Sequence, residues 1–112
     1  MIFNLNLSNP WFDLMKNGLK IYEGRLYDKV KFFNIDDIII IHSNNTSDPF
    51  KVKIINKFYY RNFIEAINDI GAYELLPIKD ITTEMAINIY QDIYPIEKQL
   101  ISGVIILEIV KI

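Results

Sequence analysis

The side chains most able to do chemistry lie close together in one short segment, as Lys20, Glu23 and Arg25. The rigid planar fork of an arginine suits planar or phosphate-bearing partners, and a lysine donates hydrogen bonds or contacts a phosphate as a point charge. A carboxylate beside them accepts hydrogen bonds, for instance from the edge of a base. On a solvated strand the same residues would form exposed ion pairs, which contribute little to stability. By themselves, the residue types favour this second interpretation.

A strand and a short helix precede this segment. Residues 2–7 alternate between polar and apolar side chains, which predicts a half-buried strand. Asn9 can cap a helix that starts at Pro10, where the missing N–H costs nothing. Gly18 ends this helix because glycine adopts a left-handed C-terminal cap without steric penalty. The predicted apolar stripe of the helix consists of Trp11, Leu14 and Met15.

The predicted second strand, residues 20–26, carries the charged residues. Strict alternation divides it into two faces, one with Ile21, Glu23 and Arg25 and the other with Lys20, Tyr22, Gly24 and Leu26. Lys20 can join Glu23 only if the turn after Gly18 redirects it.

The rest of the chain alternates apolar strands with amphipathic helices. The continuous apolar run Ile38–Ile41 is typical of a fully buried strand, and we expect it to form a hairpin with a long strand over residues 50–60. A polar loop, residues 43–48, would join them. Two helices follow, one capped by Asn62 and ended by Gly71, the other capped by Thr82 and ended before Pro95. Their predicted apolar residues are Phe63, Ala66, Ile67 and Ile70, then Met85, Ala86, Ile89, Tyr90 and Ile93.

This order of elements predicts an α+β fold. Continuous apolar strands beside alternating ones suit a small, partly closed barrel with helices over its openings. The first and last strands, residues 2–7 and 104–110, are expected in the same small sheet because the chain is too short for two cores. Without a repeat, linker or low-complexity segment, residues 1–112 are expected to form a single domain.

The composition excludes several classes of site. The chain has 112 residues, and 14 acidic side chains outnumber 12 basic ones for a net charge of −2. A broad positive surface for a long duplex is therefore not expected, and any nucleic-acid contact should be local. The absence of cysteine excludes disulfides and thiolate metal sites, and the single histidine disfavours a zinc site. We expect no metal and no cofactor.

The N-terminal sequence lacks the pattern of a signal peptide, because no basic region precedes an apolar core. The longest aliphatic run, Ile38–Ile41, is far too short to cross a bilayer. We therefore expect an intracellular, cytoplasmic protein without a membrane partner. The sequence gives no indication of the oligomeric state.

Residues 8–26 resemble the opening motif of the ASCH domain family, small PUA-like barrels linked to RNA. In that family a helix ends at a glycine and the next strand begins G-x-K-x-x-E-x-R, the positions of Gly18, Lys20, Glu23 and Arg25. Later pieces are also similar in order and spacing. They are Asp36-Asp37-Ile38, where Asp36 replaces the family's glycine, the aromatic-x-x-Phe of residues 60–63, the pair Tyr90 and Tyr94, and Gly103-Val104.

The resemblance implies a PUA-like β-barrel of about five to six strands with flanking helices. It also implies a polar cleft, lined by Lys20, Tyr22, Glu23 and Arg25, that takes RNA or a nucleotide-sized ligand such as a modified nucleoside. The protein would then act in RNA metabolism or its regulation. Tyr22 could stack on a base, whereas Trp11 on its short amphipathic helix is more typical of a core residue.

Some ASCH proteins are acetylcytidine amidohydrolases, so the alternative function is a hydrolase of acylated nucleosides or an RNA-processing hydrolase. Those enzymes use the lysine of the motif, a threonine three residues later and a glutamate before the late helix. Lys20 matches the lysine, but Glu23 stands at the threonine position, and the later glutamate falls near Lys79 or Asp80. If the protein is an enzyme, Lys20 and Glu23 are its catalytic candidates. The hydroxyl nucleophile that the threonine would supply is missing, however. A further alternative is an interaction domain that has lost its ligand.

The long hairpin strand carries a second candidate surface for nucleic acid. Lys51, Lys53 and Lys57 all lie at odd-numbered positions along it, with Tyr60 and Arg61 at its end. A solvated stripe is the plainer interpretation, although these lysines are the best candidates for contacts to a nucleic-acid backbone. Tyr59 and Tyr60 are predicted to point to opposite faces, one buried and one exposed.

Two further polar residues stand on predicted strands. His42 ends the strand that begins at Ile38, and we expect a local hydrogen bond there rather than catalysis. Glu108 lies among apolar residues of the last strand. The sequence leaves open whether Glu108 faces solvent or the cleft.

Overall fold

The computed structural model describes residues 1–44 and 48–112, so residues 45–47 of the predicted polar loop lie outside the described part. The strands are β1 (Ile2–Leu7), β2 (Tyr22–Leu26), β3 (Ile38–Ser43), β4 (Phe50–Tyr60) and β5 (Val104–Lys111). The helices are α1 (Trp11–Lys16), α2 (Tyr27–Val30), α3 (Phe63–Ile70), α4 (Ala72–Leu75), α5 (Thr83–Ile93) and α6 (Ile96–Ser102).

These five strands form one sheet, in the order β1-β3-β4-β5-β2. β1 pairs with β3 in parallel, and the other pairs are antiparallel. The sheet curves into a half-barrel whose two edges are β1 and β2. Across the seam between these edges, Arg25 Nη2 donates a hydrogen bond to the backbone oxygen of Asn6 at 2.8 Å. The predicted α+β barrel-like fold, with its first and last strands in one sheet, is confirmed.

Two groups of buried side chains lie on opposite faces of the sheet. Alternate residues of β5 divide between them, since Ile105 and Leu107 belong to the first group and Val104 and Ile106 to the second. The first group also contains the buried side chains of α1, β3 and the first half of β4. The second is covered by α3, α4 and α5.

The buried faces of two helices differ from the predicted stripes. In α1 the buried residues are Phe12 and Met15, whereas Trp11 is half-buried. A helix of only six residues offers one i, i+3 pair to the core, and Trp11 at its start packs between the two buried groups instead. In α5, Ala86 and Tyr90 are buried, but Met85 and Ile93 are 45% and 52% exposed.

The predicted caps of α3 and α5 are confirmed. Asn62 Oδ1 accepts a hydrogen bond from the backbone N–H of Glu65 at 2.9 Å. Thr82 Oγ1 accepts one from the N–H of Met85 at 3.1 Å. These contacts satisfy donors that the first turn of a helix otherwise leaves unpaired.

Hydrophobic periodicity does not predict α6, because its pattern is reversed. Its outward residues Leu100 and Ile101 are 63% and 88% exposed, and its inward residue is the fully buried Gln99. The amide oxygen of Gln99 accepts from the N–H of Phe63 at 2.9 Å, and its nitrogen donates to the backbone oxygen of Tyr94 at 2.7 Å. A buried polar residue with two such partners fixes α6 against the start of α3 and the end of α5.

Candidate functional site

A pocket of about 200 Å³ lies at the seam between the two edge strands, and we call it the seam pocket. β1 contributes Asn6 and Leu7 to its wall, and β2 contributes residues 23–25. The helices α1 and α5 supply the opposite walls. The aromatic and aliphatic side chains that these helices and the end of α5 contribute are Trp11, Tyr90, Ile93 and Tyr94.

Lys20 reaches this pocket because the turn after α1 redirects the chain. Gly18 has a φ of +81°, a left-handed conformation that glycine adopts readily. The N–H groups of Leu19 and Lys20 then both donate to the backbone oxygen of Leu14, at 2.9 and 3.1 Å. β2 begins only at Tyr22, so Lys20 escapes the strand alternation that would separate it from Glu23. The turn that is needed to bring Lys20 beside Glu23 is therefore present.

The ammonium group of Lys20 is almost completely buried, with 2% of the residue exposed. Its Nζ donates to the backbone oxygens of Tyr22 and Leu75, the latter at 2.9 Å, and lies 3.8 Å from Glu23 Oε1. Burial lowers the pKa of Lys20, because desolvation disfavours the charged form. The negative charge of Glu23 opposes this shift, and the positive charge of Arg25 adds to it.

Glu23 joins the two cations into one charged cluster, which we define as Lys20, Glu23 and Arg25. Its Oε2 accepts a hydrogen bond from Arg25 Nε at 2.6 Å, and the residue is only 7% exposed. Because Arg25 also bonds Asn6, the cluster spans the seam from one edge strand to the other. Two cations against one carboxylate leave an excess of positive charge, which favours neutral or anionic ligands.

The aromatic wall of the pocket contains an unpaired polar group. The ring of Tyr90 stacks on Phe63 with 4.0 Å between centroids. The buried hydroxyl of Tyr90 has no hydrogen-bond partner in the part of the chain that the structure describes. Burial raises the pKa of Tyr90, as do the neighbouring charges of Glu23 and Tyr94, so the phenol stays neutral. From the sequence, Tyr90 is predicted in the apolar stripe of a helix, and no pattern indicates that its hydroxyl is left unpaired in the wall of a pocket.

Of the four residues predicted to line the cleft, Lys20, Glu23 and Arg25 line the seam pocket. Tyr22 does not. Strand alternation turns its side chain to the opposite face, where it packs against the second buried group, and only its backbone oxygen contacts Lys20. Tyr22 lies opposite Glu108 of β5. Glu108 is outside the pocket lining as well, and its Oε1 accepts a hydrogen bond from Asn56 at 2.8 Å.

A β-bulge divides the three lysines predicted to share one surface. The register of β4 against β5 shifts between Ile54 and Asn56, so Lys51 and Lys53 lie on one face and Lys57 on the other. Lys53 lies 3.4 Å from Asp36 Oδ1, and Lys57 Nζ donates to the backbone oxygen of Lys31 at 2.9 Å. The prediction of one lysine stripe is wrong, because strict alternation does not allow for an inserted residue.

Tyr60 and Arg61 lie instead in a wider groove of about 560 Å³, lined also by Tyr27, Tyr59 and residues 100–104. We call it the tyrosine groove. Tyr59 is 61% exposed and Tyr60 half-buried, on opposite faces as predicted. Burial and a 2.5 Å hydrogen bond to Asp69 raise the pKa of Tyr60 to about 12. Arg61 forms an ion pair with Glu65 at 3.0 Å.

The remaining polar candidates lie away from the seam pocket. His42 Nε2 and Asn4 Oδ1 are 2.8 Å apart across the β1–β3 pair, which is the local hydrogen bond predicted for this histidine. Lys79 and Asp80 do not line the pocket. Within residues 1–44 and 48–112, no three His, Asp or Glu side chains are grouped as a metal site would require. None of the described helices is long and apolar enough to cross a membrane.

The sequence profile of the ASCH domain family matches residues 5–112. Two solved structures are similar over the whole chain. The crystal structure of hypothetical protein PH0355 has a TM-score of 0.88 at 31% identity, with 100% of both chains covered. The solution NMR structure of protein PF0455 from Pyrococcus furiosus has a TM-score of 0.79 at 27% identity, with 100% of this chain and 98% of that chain covered. No curated protein matches the chain.

Proposed function

The chain belongs to the ASCH domain family, and on that premise we propose that it binds RNA or a modified nucleoside through the seam pocket, in RNA metabolism or its regulation. The observation that carries the proposal is the convergence of Lys20, Glu23 and Arg25, largely buried, on one pocket. Such a cluster is a poor stabiliser, because the desolvation of its charges offsets much of their attraction. A ligand that hydrogen-bonds to these groups would give the cluster a function that stability alone does not.

The charged cluster offers both kinds of hydrogen-bonding group that a nucleotide needs. Arg25 has N–H groups beyond the two that bond Glu23 and Asn6, and they can donate to a phosphate or a carbonyl oxygen. The carboxylate of Glu23 keeps acceptor capacity for an amino or imino group on a base edge. Lys20 donates to two backbone oxygens, so its contribution to a ligand is mainly its positive charge.

The size of the pocket limits the ligand. Pockets for drug-sized molecules measure roughly 300–1,000 Å³, whereas the seam pocket measures about 200 Å³. It therefore suits a single base or nucleotide-sized group rather than a duplex. With a net charge of −2 on the whole chain, affinity should come from these specific contacts and should depend on salt less steeply than in a protein that binds many phosphates.

The proposal can be tested by titrating the chain with short single-stranded RNA and with ribonucleoside monophosphates, read by fluorescence anisotropy and calorimetry. Arg25→Ala should weaken binding by roughly 10- to 100-fold, because hydrogen bonds to charged groups contribute about 1.5–3 kcal/mol each. Lys20→Ala should also weaken it. Since Arg25 bonds Asn6 as well, thermal melting must show that each variant remains folded.

The matched control is the double variant Lys51→Ala/Lys53→Ala, which removes two positive charges that lie outside the pocket. Its affinity should stay within about twofold of the unchanged chain. The proposal fails if binding persists in Arg25→Ala and Lys20→Ala but disappears in Lys51→Ala/Lys53→Ala. The binding site would then lie on the hairpin.

One observation favours a second candidate, a hydrolase of acylated nucleosides. Lys20 is buried beside the pocket, and its lowered pKa increases the fraction of neutral amine, the form that can accept a proton, relative to an ordinary lysine. Glu23 stands where the acetylcytidine amidohydrolases among the ASCH proteins have a threonine, so we expect no release of acetate from acetylcytidine. Robust hydrolysis that Lys20→Ala abolishes would contradict this expectation. An interaction domain without a ligand is disfavoured by the charged cluster.

A further inference from the structure

We propose that the tyrosine groove is a second binding site, which holds a stretch of single-stranded nucleic acid adjoining the nucleotide in the seam pocket. The inference rests on the proposed function, because it assigns both sites to one strand. The groove is formed by three separate parts of the chain: the start of α2, the end of β4 and the turn between α6 and β5.

Two exposed rings form the floor of the groove. Tyr27 and Tyr59 are 37% and 61% exposed, and their ring centroids are 6.2 Å apart with planes inclined by 45°. Exposed aromatic faces bind unpaired bases by stacking, with little preference for sequence because every base has a flat face. The two rings contact each other at an angle and still leave much of their faces exposed, so these faces are open to a ligand with flat groups.

Charge makes a nucleic acid a better occupant than an apolar protein segment. Lys57 Nζ lies 5.5 Å from the centroid of the Tyr59 ring. The Arg61 side chain is 87% exposed, and its partner Glu65 is the carboxylate that lines the groove. Lys57 beside the ring of Tyr59 and Arg61 in the groove lining are two cations that a phosphate can contact, whereas the nearby carboxylates are already bonded, Glu65 to Arg61 and Asp69 to Tyr60. Exposed Leu100 and Ile101 add an apolar wall that also accepts the face of a base.

The two sites are close enough for one short strand to occupy both. Ile105 of β5 pairs with Arg25 of β2 on one side and with Tyr59 of β4 on the other. Neighbouring strands are about 4.8 Å apart, so the backbones of Arg25 and Tyr59 are separated by about 10 Å across the sheet. A few nucleotides can span that distance.

The experiment compares the affinity of ribonucleoside 5′-monophosphates with that of a single-stranded trinucleotide and hexanucleotide RNA of mixed sequence. In the unchanged chain, affinity should rise with length. In Tyr27→Ala/Tyr59→Ala the affinity for monophosphates should stay within about twofold, while the gain with length should fall by roughly tenfold for each stacked base that is lost. Tyr59→Phe, which keeps the ring, should retain the gain. Tyr73→Ala, which removes a 54% exposed ring outside the groove, is the matched control.

Each other outcome overturns the inference. An undiminished gain with length in Tyr27→Ala/Tyr59→Ala would exclude the groove as a binding site, while leaving the seam pocket as proposed. If no RNA or monophosphate binds the unchanged chain, the proposed function fails together with the inference. A dimer that Tyr59→Ala disrupts, without change in RNA affinity, would identify the groove as a surface for a second copy.

Discussion

Replacing Tyr90 with phenylalanine removes a single buried oxygen from the wall of the seam pocket. The ring stacks on Phe63 with its plane inclined by only 5°, and phenylalanine keeps that contact. The hydroxyl that is lost has no hydrogen-bond partner among the described residues. A buried polar group without a partner costs about 1–3 kcal/mol. Tyr90→Phe should therefore raise the free energy of unfolding, by about 1 kcal/mol once the small void left by the oxygen is included.

The measurement is urea unfolding at pH 7, followed by circular dichroism, with the thermal midpoint as a second readout. A gain of about 1 kcal/mol corresponds to roughly 4 °C for a chain of this size. The matched control is Tyr60→Phe, which removes the same atom from a tyrosine whose hydroxyl donates to Asp69 at 2.5 Å. That variant should lower the free energy of unfolding by about 1.5 kcal/mol, the low end for a hydrogen bond to a charged group, because the contact is exposed to solvent.

The opposite signs of the two variants are the decisive feature. If Tyr90→Phe lowers the free energy of unfolding as much as Tyr60→Phe, the Tyr90 hydroxyl has a partner in the folded protein and the reasoning is refuted. If Tyr90→Phe raises stability but weakens nucleotide binding, the hydroxyl is unpaired in the empty pocket and forms a hydrogen bond with the bound ligand.

Three further perturbations test other contacts of the fold. Gly24→Ala would place a Cβ 2.6 Å from Phe63 Cε1, so urea unfolding should show a loss of about 1–3 kcal/mol; unchanged stability would mean that the ring can move freely. Gln99→Leu leaves the N–H of Phe63 and the backbone oxygen of Tyr94 without their partner, and it should lower stability by at least about 2 kcal/mol. The pKa of Tyr60 is raised from 10.0 to about 12. Its phenol therefore keeps its proton up to a higher pH in the folded state than in the unfolded state. Its contribution to stability is therefore lost as pH rises from 10 toward 12. The stability difference between the unchanged chain and Tyr60→Phe should shrink over that range, and a constant difference would contradict the assignment.

The sequence alone determined the features that depend on contacts within a few residues. Asn62 and Thr82 cap their helices through hydrogen bonds to residues three positions away. Gly18 ends α1 through its own backbone conformation. The strands of the half-barrel follow from the alternation or continuity of apolar residues, and strand alternation places Glu23 and Arg25 on the same face. Such features are local, so the residue types within one segment are sufficient to specify them.

Only the tertiary structure decided how these segments use their side chains. Lys20 is buried because its ammonium group finds the backbone oxygen of Leu75, 55 residues away in the chain. The bulge in β4 appears only in its pairing with β5, and it moves Lys57 to the face opposite Lys53. Gln99 is buried where periodicity expects an apolar residue, because α3 and α5 bring it two partners. Each outcome depends on which distant groups meet, and packing between segments, rather than the residue types within one segment, determines those contacts.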